Sequence, residues 1–169
     1  MMKENIVLIG MPGCGKTTIS HLLSEKINIP CIDVDEYIES KTSHTIKDLF
    51  EKGEEYFRNI ETMAVSEVSK KHPLIIATGG GTVKRAENME ILKRNGIIIF
   101  INRPVENIIC DVDKDSRPLL SNDINNIYKL FNERHELYKK YSDFEVENSG
   151  SVDETVSNII EIIKGGNSK

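Results

Sequence analysis

Eight residues near the N-terminus, Gly10-Met11-Pro12-Gly13-Cys14-Gly15-Lys16-Thr17, fit G-x-x-x-x-G-K-[ST] at every fixed position. Glycines let such a loop curl so that consecutive amide N–H groups face phosphate oxygens, with the start of a helix behind them. Lys16 adds an ammonium for the β- and γ-phosphates, and the Thr17 hydroxyl can ligate Mg²⁺. Thr18 reads as a helix residue near the phosphates rather than a metal ligand, and Cys14 as a side chain turned from them. An apolar run precedes the motif and an amphipathic one follows it, which supplies the strand and helix the loop needs. Nucleoside triphosphate binding is therefore expected, with the phosphate acceptor left open.

Further groups could complete a reaction site. Asp33 and Asp35 flank Val34 at the carboxyl end of the second apolar run, and residues two apart on a strand share a face. One carboxylate could hold Mg²⁺, usually through water, while the other takes a proton from an acceptor hydroxyl. The competing reading is that both cap a helix beginning near Glu36. Arg58 and Glu61 stand three apart in a helical pattern. That spacing suits a surface ion pair, or a Glu61 that aims the guanidinium at a planar anion such as a carboxylate. Gly79-Gly80-Gly81 exceeds what a turn requires, and points to backbone approaching a ligand with its amides as donors.

These residues need a frame. Apolar runs at 6–9, 31–34, 74–77, 97–101 and 144–146 read as five strands. The first four are nearly apolar throughout, as strands buried on both faces are, and the weaker last one suits an edge. Helical patterns lie between them. The first covers 16–27, with Ile19, Leu22, Leu23 and Ile27 on one face. Another opens near Thr45, with Asp48 in capping-box spacing, and 54–71 carries Phe57, Ile60, Ala64, Val65 and Val68. Further helices are expected over 85–94, 105–111, 124–140 and 152–164. Such alternation calls for crossover connections and a largely parallel sheet with helices on both faces; ligands of these sheets sit beyond the carboxyl ends of the strands. Residues 112–123 lack periodicity and read either as a passive surface loop or as a cover over the site.

Composition narrows the classes. The chain has 169 residues, 38% apolar and 29% charged. A single domain over 1–169 with a core that needs no metal or disulfide staple is expected, and a disordered or collagen-like chain is excluded. The net charge of −5 argues against a broad nucleic-acid-binding face. The longest apolar run, 97–101, is far short of the roughly 20 residues that span a membrane. Neither the apolar stretch nor the cleavage site of a signal peptide is expected at the N-terminus. Cys14, Cys31 and Cys110 form no CxxC pair and suit reduced thiols in the cytoplasm. His21, His44, His72 and His135 lack metal-ligand spacing and read as surface or packing residues.

Taken together, the loop at 10–17, Asp33-Val34-Asp35, Phe57-Arg58-x-x-Glu61, Gly79-Gly80-Gly81, Arg117-Pro118-Leu119-Leu120 and Arg134 with Tyr138 resemble the shikimate kinase family in order and spacing. The resemblance runs over about residues 5–163. It implies an α/β P-loop kinase of the nucleoside-monophosphate-kinase-like fold, with a five-stranded parallel sheet in the order 2-3-1-4-5 and helices on both faces. It also implies substrate-binding helices at about 35–71 and a lid at about 112–123. Asp35, Arg58, Gly80, Gly81 and Arg134 would then bind shikimate, the two arginines on its carboxylate and Asp35 on its hydroxyls. Gly13, Cys14, Gly15, Lys16, Thr17 and Thr18 would bind ATP, and Asp33 would join Thr17 around Mg²⁺. Arg117 would swing in with the lid to meet the ATP phosphates, which makes Lys16, Asp35 and Arg117 the implied catalytic set. Phe50 and Phe57 would wall the substrate ring. One departure stands out: Ile109-Cys110 occupy the place where family members often carry an arginine that stacks on adenine, so apolar contact would replace that stacking.

The implied enzyme is a cytoplasmic monomer that transfers the γ-phosphoryl group of ATP to the 3-hydroxyl of shikimate, without nucleic-acid or membrane partners. Rival readings are another small-molecule kinase, of gluconate or of a nucleoside monophosphate, and a non-catalytic P-loop module. A nucleotide acceptor would need more lid arginines than 112–123 carries. A module used only as a switch has no use for a second anion pocket.

Overall fold

The computed structural model describes residues 4–114 and 124–165, the side chains of 112–114 excepted. In chain order these form β1 (Asn5–Ile9), α1 (Lys16–Ile27), β2 (Cys31–Asp33), α2 (Val34–Thr42), α3 (Ile46–Glu51) and α4 (Glu54–Ser69). There follow β3 (Ile75–Ala77), a 3-10 turn (Thr82–Lys84), α5 (Ala86–Arg94), β4 (Gly96–Asn102), α6 (Val105–Lys114), α7 (Ile124–Tyr141), β5 (Phe144–Glu147) and α8 (Val152–Gly165). The strands make one parallel sheet in the order β2-β3-β1-β4-β5, the order the resemblance implies.

Register sets Ile6 between Ile75 and Ile97, and Leu8 between Ala77 and Ile99. β1, β3 and the middle of β4 are buried outright, which is why their sequences are apolar without alternation. Ile19 and Leu23 of α1 and Phe57, Ala64, Val65 and Val68 of α4 join the same core. The expected helices appear with ends shifted by a few residues. The Thr45 box closes both ways, with Asp48 N–H donating to Thr45 Oγ1 at 3.1 Å and Thr45 N–H to Asp48 Oδ2 at 3.0 Å.

Three expectations change. β2, at the sheet edge the implied order gives it, is only half-buried, although its run looks like those of the strands buried on both faces. It stops at Asp33, and Val34, expected as its last residue, begins α2. Val34 is buried in the helix as it would be in the strand, so hydrophobicity alone does not separate the two. Residues 112–114, expected within the aperiodic excursion, continue α6.

The strand order matters for the site. Because β3 pairs with β1, the loops leaving their carboxyl ends run side by side. One is the glycine-rich loop at 10–15 and the other is the turn at 79–81. No described helix is long and apolar enough to cross a membrane.

Candidate active site

Gly13 and Gly15 lie in the left-handed region, with φ of 78° and 100°, where a side chain would be strained. Gly15 is the N-cap of α1 and supplies no side-chain cap, so the opening amides of the helix stay available to an anion. Lys16 is 8% exposed, and its Nζ donates to the carbonyls of Gly10 at 2.8 Å and Met11 at 2.9 Å. Phosphate oxygens make stronger acceptors than these neutral carbonyls and would draw the ammonium toward them. Cys14 is buried in the core and Thr18 is exposed on α1. Two side chains from distant segments hold the loop in place. Asn148 Nδ2 donates to the Cys14 carbonyl at 2.9 Å, and Arg103 Nη1 to the Gly13 carbonyl at 3.2 Å. Both act across long sequence separations, where no local pattern marks them.

Thr17 Oγ1 donates to Asp33 Oδ2 at 2.6 Å. The other oxygen of Asp33 accepts the amides of Asp35 at 2.9 Å and Glu36 at 3.3 Å, capping α2. The capping alternative thus holds for Asp33, while its second oxygen remains paired with the loop threonine. Asp35 is no cap; it sits in the first turn of α2, so a helix turn rather than strand alternation brings the two carboxylates together. Burial pushes the Asp35 carboxyl up to about 6, helped by the charges of Asp33 and Glu61 and opposed by Lys16. A hydroxyl and a carboxylate oxygen side by side suit Mg²⁺, which takes one or two protein oxygens plus phosphates and keeps its remaining waters. Among the described residues no three His, Cys, Asp or Glu stand together as a full metal cage.

Across the crevice, Arg58 projects from α4 with its side chain 7% exposed, and Nη1 donates to Glu61 Oε2 at 2.7 Å. The other Glu61 oxygen accepts from Thr82 Oγ1 at 2.8 Å. This pair is buried, which removes the surface-ion-pair reading. Phe50 and Phe57 stack with centroids 4.3 Å apart, and the guanidinium carbon of Arg58 lies 5.5 and 5.2 Å from their rings.

The turn at 79–81 touches every part of this arrangement. A Cβ on Gly79 would lie 3.0 Å from Asp35 Oδ1, one on Gly80 2.6 Å from Pro12 Cδ, and one on Gly81 2.7 Å from Arg58 Cζ. Close approach of this backbone is thus required by three protein side chains, from Asp35, Pro12 and Arg58. Tyr138 of α7 donates its hydroxyl to the Gly80 carbonyl at 2.6 Å. Burial pushes that hydroxyl's pKa up, against the opposing charges of Arg134 and Arg58. Arg134, one helical turn before Tyr138, is half-buried, and its Nε is buried with no hydrogen-bond partner among the described residues. Contacts therefore link Lys16, Asp33, Asp35, Arg58, Gly80 and Gly81 at the carboxyl ends of β1, β2 and β3, with Arg134 beside them through Tyr138, whereas Arg117 lies outside the described residues.

The remaining expectations concern the flanks. His135 stacks on Phe131 at 4.5 Å and meets Phe100 edge-on at 5.7 Å, a packing residue as expected. Ile109 is half-buried against the core and Cys110 is exposed.

Comparison with known proteins places the chain in a family. The shikimate kinase family model matches residues 12–164. The chain is 51% identical to a shikimate kinase of Clostridium botulinum (strain Alaska E43 / Type E3), over 96% of this chain and 98% of that protein. It is 38% identical to one of Dictyoglomus turgidum, over 96% and 99%. Among solved structures it is similar to a shikimate kinase from Acinetobacter baumannii in complex with shikimate, at 35% identity and a TM-score of 0.90, covering 98% of this chain and 96% of that one. The shikimate kinase of Aquifex aeolicus gives 36% identity and 0.84, covering 97% and 98%.

Proposed function

Because the chain belongs to the shikimate kinase family, we propose that it transfers the γ-phosphoryl group of ATP to the 3-hydroxyl of shikimate. The observation that carries this reading is the turn at 79–81, which meets Asp35, the phosphate loop and Arg58 in three successive residues. An acceptor held by Arg58 is thereby close to a triphosphate held by Lys16.

In this reading Gly13, Cys14, Gly15, Lys16, Thr17 and Thr18 bind ATP, the loop amides cradling its phosphates and Lys16 neutralising them. Thr17 and Asp33 hold Mg²⁺, which supplies charge neutralisation along the phosphate chain when bound. Arg58 and Arg134 grip the substrate carboxylate, a task for which a planar fork of donors is suited and a lysine is not. The buried, unpartnered Nε of Arg134 supports an anion at that place. Gly80 and Gly81 line the acceptor with backbone, and the stacked Phe50 and Phe57 face its ring. Asp35 orients the attacking hydroxyl and accepts its proton. Arg117, carried over from the family pattern, meets the phosphates from a lid over about 112–123. Catalysis comes mainly from positioning and from stabilising the leaving phosphate chain. A cytoplasmic monomer completes the proposal, and its three free cysteines suit a reducing setting.

The test is ADP release by the purified protein with ATP·Mg²⁺ and, separately, shikimate, gluconate and nucleoside monophosphates. Turnover is expected with shikimate, and Lys16→Ala is expected to lower it about 100-fold or more. Turnover with gluconate but not shikimate would transfer the enzyme to the rival class. ATP binding without turnover on any acceptor would leave a nucleotide-binding module.

A further inference from the structure

The two sides of the Arg58 guanidinium are held differently. Nη1 faces buried Glu61 at 2.7 Å, whereas Nε and Nη2 both look toward one oxygen, Glu54 Oε1, at 3.4 and 3.5 Å. Charge-assisted hydrogen bonds of this kind close to about 2.7–2.9 Å. Glu54 thus makes a long, forked ion pair with the outer edge of Arg58, at distances well beyond that range. The same oxygen is held by Lys84 Nζ at 2.5 Å, and this bond keeps the Glu54 carboxyl below its usual range. Glu54 opens α4, one helical turn before Arg58, and Lys84 closes the 3-10 turn that follows the three glycines. The Glu54 side chain is 51% exposed and that of Lys84 38%, so both reach solvent beside the buried Arg58.

A carboxylate four residues from Arg58 has the same chemistry as the carboxylate the acceptor presents. With Nη1 turned to Glu61, the Nε–Nη2 edge, where Glu54 is held only loosely, is the edge left for an incoming anion. We propose that Lys84 is a positioning residue for the acceptor: by taking the shorter bond to Glu54 it keeps that carboxylate's bonds to the outer edge of Arg58 long, so that the substrate can displace them. The substrate named here rests on the shikimate kinase reading; the contest for Arg58 rests on the geometry alone. Without Lys84, the nearest cation to Glu54 is Arg58, and Glu54 closes onto it as an internal competitor.

The experiment compares Lys84→Met, Glu54→Gln and the double variant with the unaltered protein. Lys84→Met is expected to raise the KM for shikimate about 5-fold, the scale of a partly exposed ion pair, with kcat and the KM for ATP unchanged. Adding Glu54→Gln is expected to remove that rise. An unchanged KM in Lys84→Met overturns the proposal. So does a rise that persists in the double variant, which would mean that Lys84 attracts the substrate directly. A second measurement needs no substrate: the Arg58 Nε–H resonance of the ligand-free protein, assigned by its loss in Arg58→Lys. It is expected to shift downfield in Lys84→Met and to return in the double variant; a resonance that does not move also overturns the proposal. An unaltered protein inactive on shikimate would sink the functional reading alone, since the resonance still reports the contest for Arg58.

Discussion

A buried guanidinium is tolerable only while its charge is matched, and Arg58 relies on Glu61 for this, whose side chain is 1% exposed. Removing one member of such a pair leaves an uncompensated charge and costs about 3–5 kcal/mol. Glu61→Ala is therefore expected to lower the melting temperature by about 10 °C, taking about 2–4 °C per kcal/mol for a domain of this size. Thr82→Val removes only the hydroxyl that supports Glu61 and is expected to cost about 1 kcal/mol. Thermal unfolding of the two variants checks this; equal losses would mean that the ion pair adds nothing beyond its hydrogen bonds. The Arg58–Glu61 pair was legible in sequence because helical spacing forces neighbours three apart together. Thr82, 21 residues further on, was not, and neither was Lys84. These contacts exist only because the turn after β3 folds back over the start of α4.

At the scale of elements, that turn and α4 meet with no spare room. A Cβ on Gly81 would fall within the Arg58 guanidinium, 2.7 Å from its central carbon. Gly81 does not have a left-handed backbone, so Ala is conformationally acceptable there and the whole penalty falls on Arg58. Gly81→Ala is expected to raise the KM for shikimate about 10-fold or more through this displacement, while calorimetric binding of an ATP analogue stays unchanged. Equal weakening of both ligands would show instead that the turn deforms toward the phosphate loop. Elements whose identity is set locally were readable in the sequence: the loop at 10–17 with its flanking strand and helix, the Thr45 capping box, and the apolar faces of α1 and α4. The change from β2 to α2 was not. It falls inside an apolar run, and what ends the strand is the Asp33 side chain accepting two amides, a choice composition does not announce. The lesson for the paired aspartates is that shared location was inferred correctly from the wrong geometry.

For the molecule as a whole, the strand order separates two binding loads and then sets them face to face. In the proposed reading the triphosphate half-site rests on β1 and α1, and the acceptor half-site on α4, the turn after β3, and α7 through the Tyr138–Gly80 hydrogen bond. Since β3 pairs directly with β1, the two halves share a boundary at Gly80 and Pro12 but no principal anion-binding residue. Each ligand should then stabilise the fold through its own half. A ligand present at 100 times its dissociation constant adds about 2.7 kcal/mol, or about 5–10 °C for a domain of this size. Thermal shifts with shikimate, and separately with a non-hydrolysable ATP analogue and Mg²⁺, should both be of this order in the unaltered protein. Lys16→Ala is expected to lose the nucleotide shift and keep the shikimate shift, and Arg58→Lys to do the reverse. EDTA should diminish the nucleotide shift alone, because the oxygens of Thr17 and Asp33 lie on that side of the crevice. If either substitution abolished both shifts, the halves could not be independent loads on one sheet, and the acceptor residues would have to be read as supports for the phosphate loop.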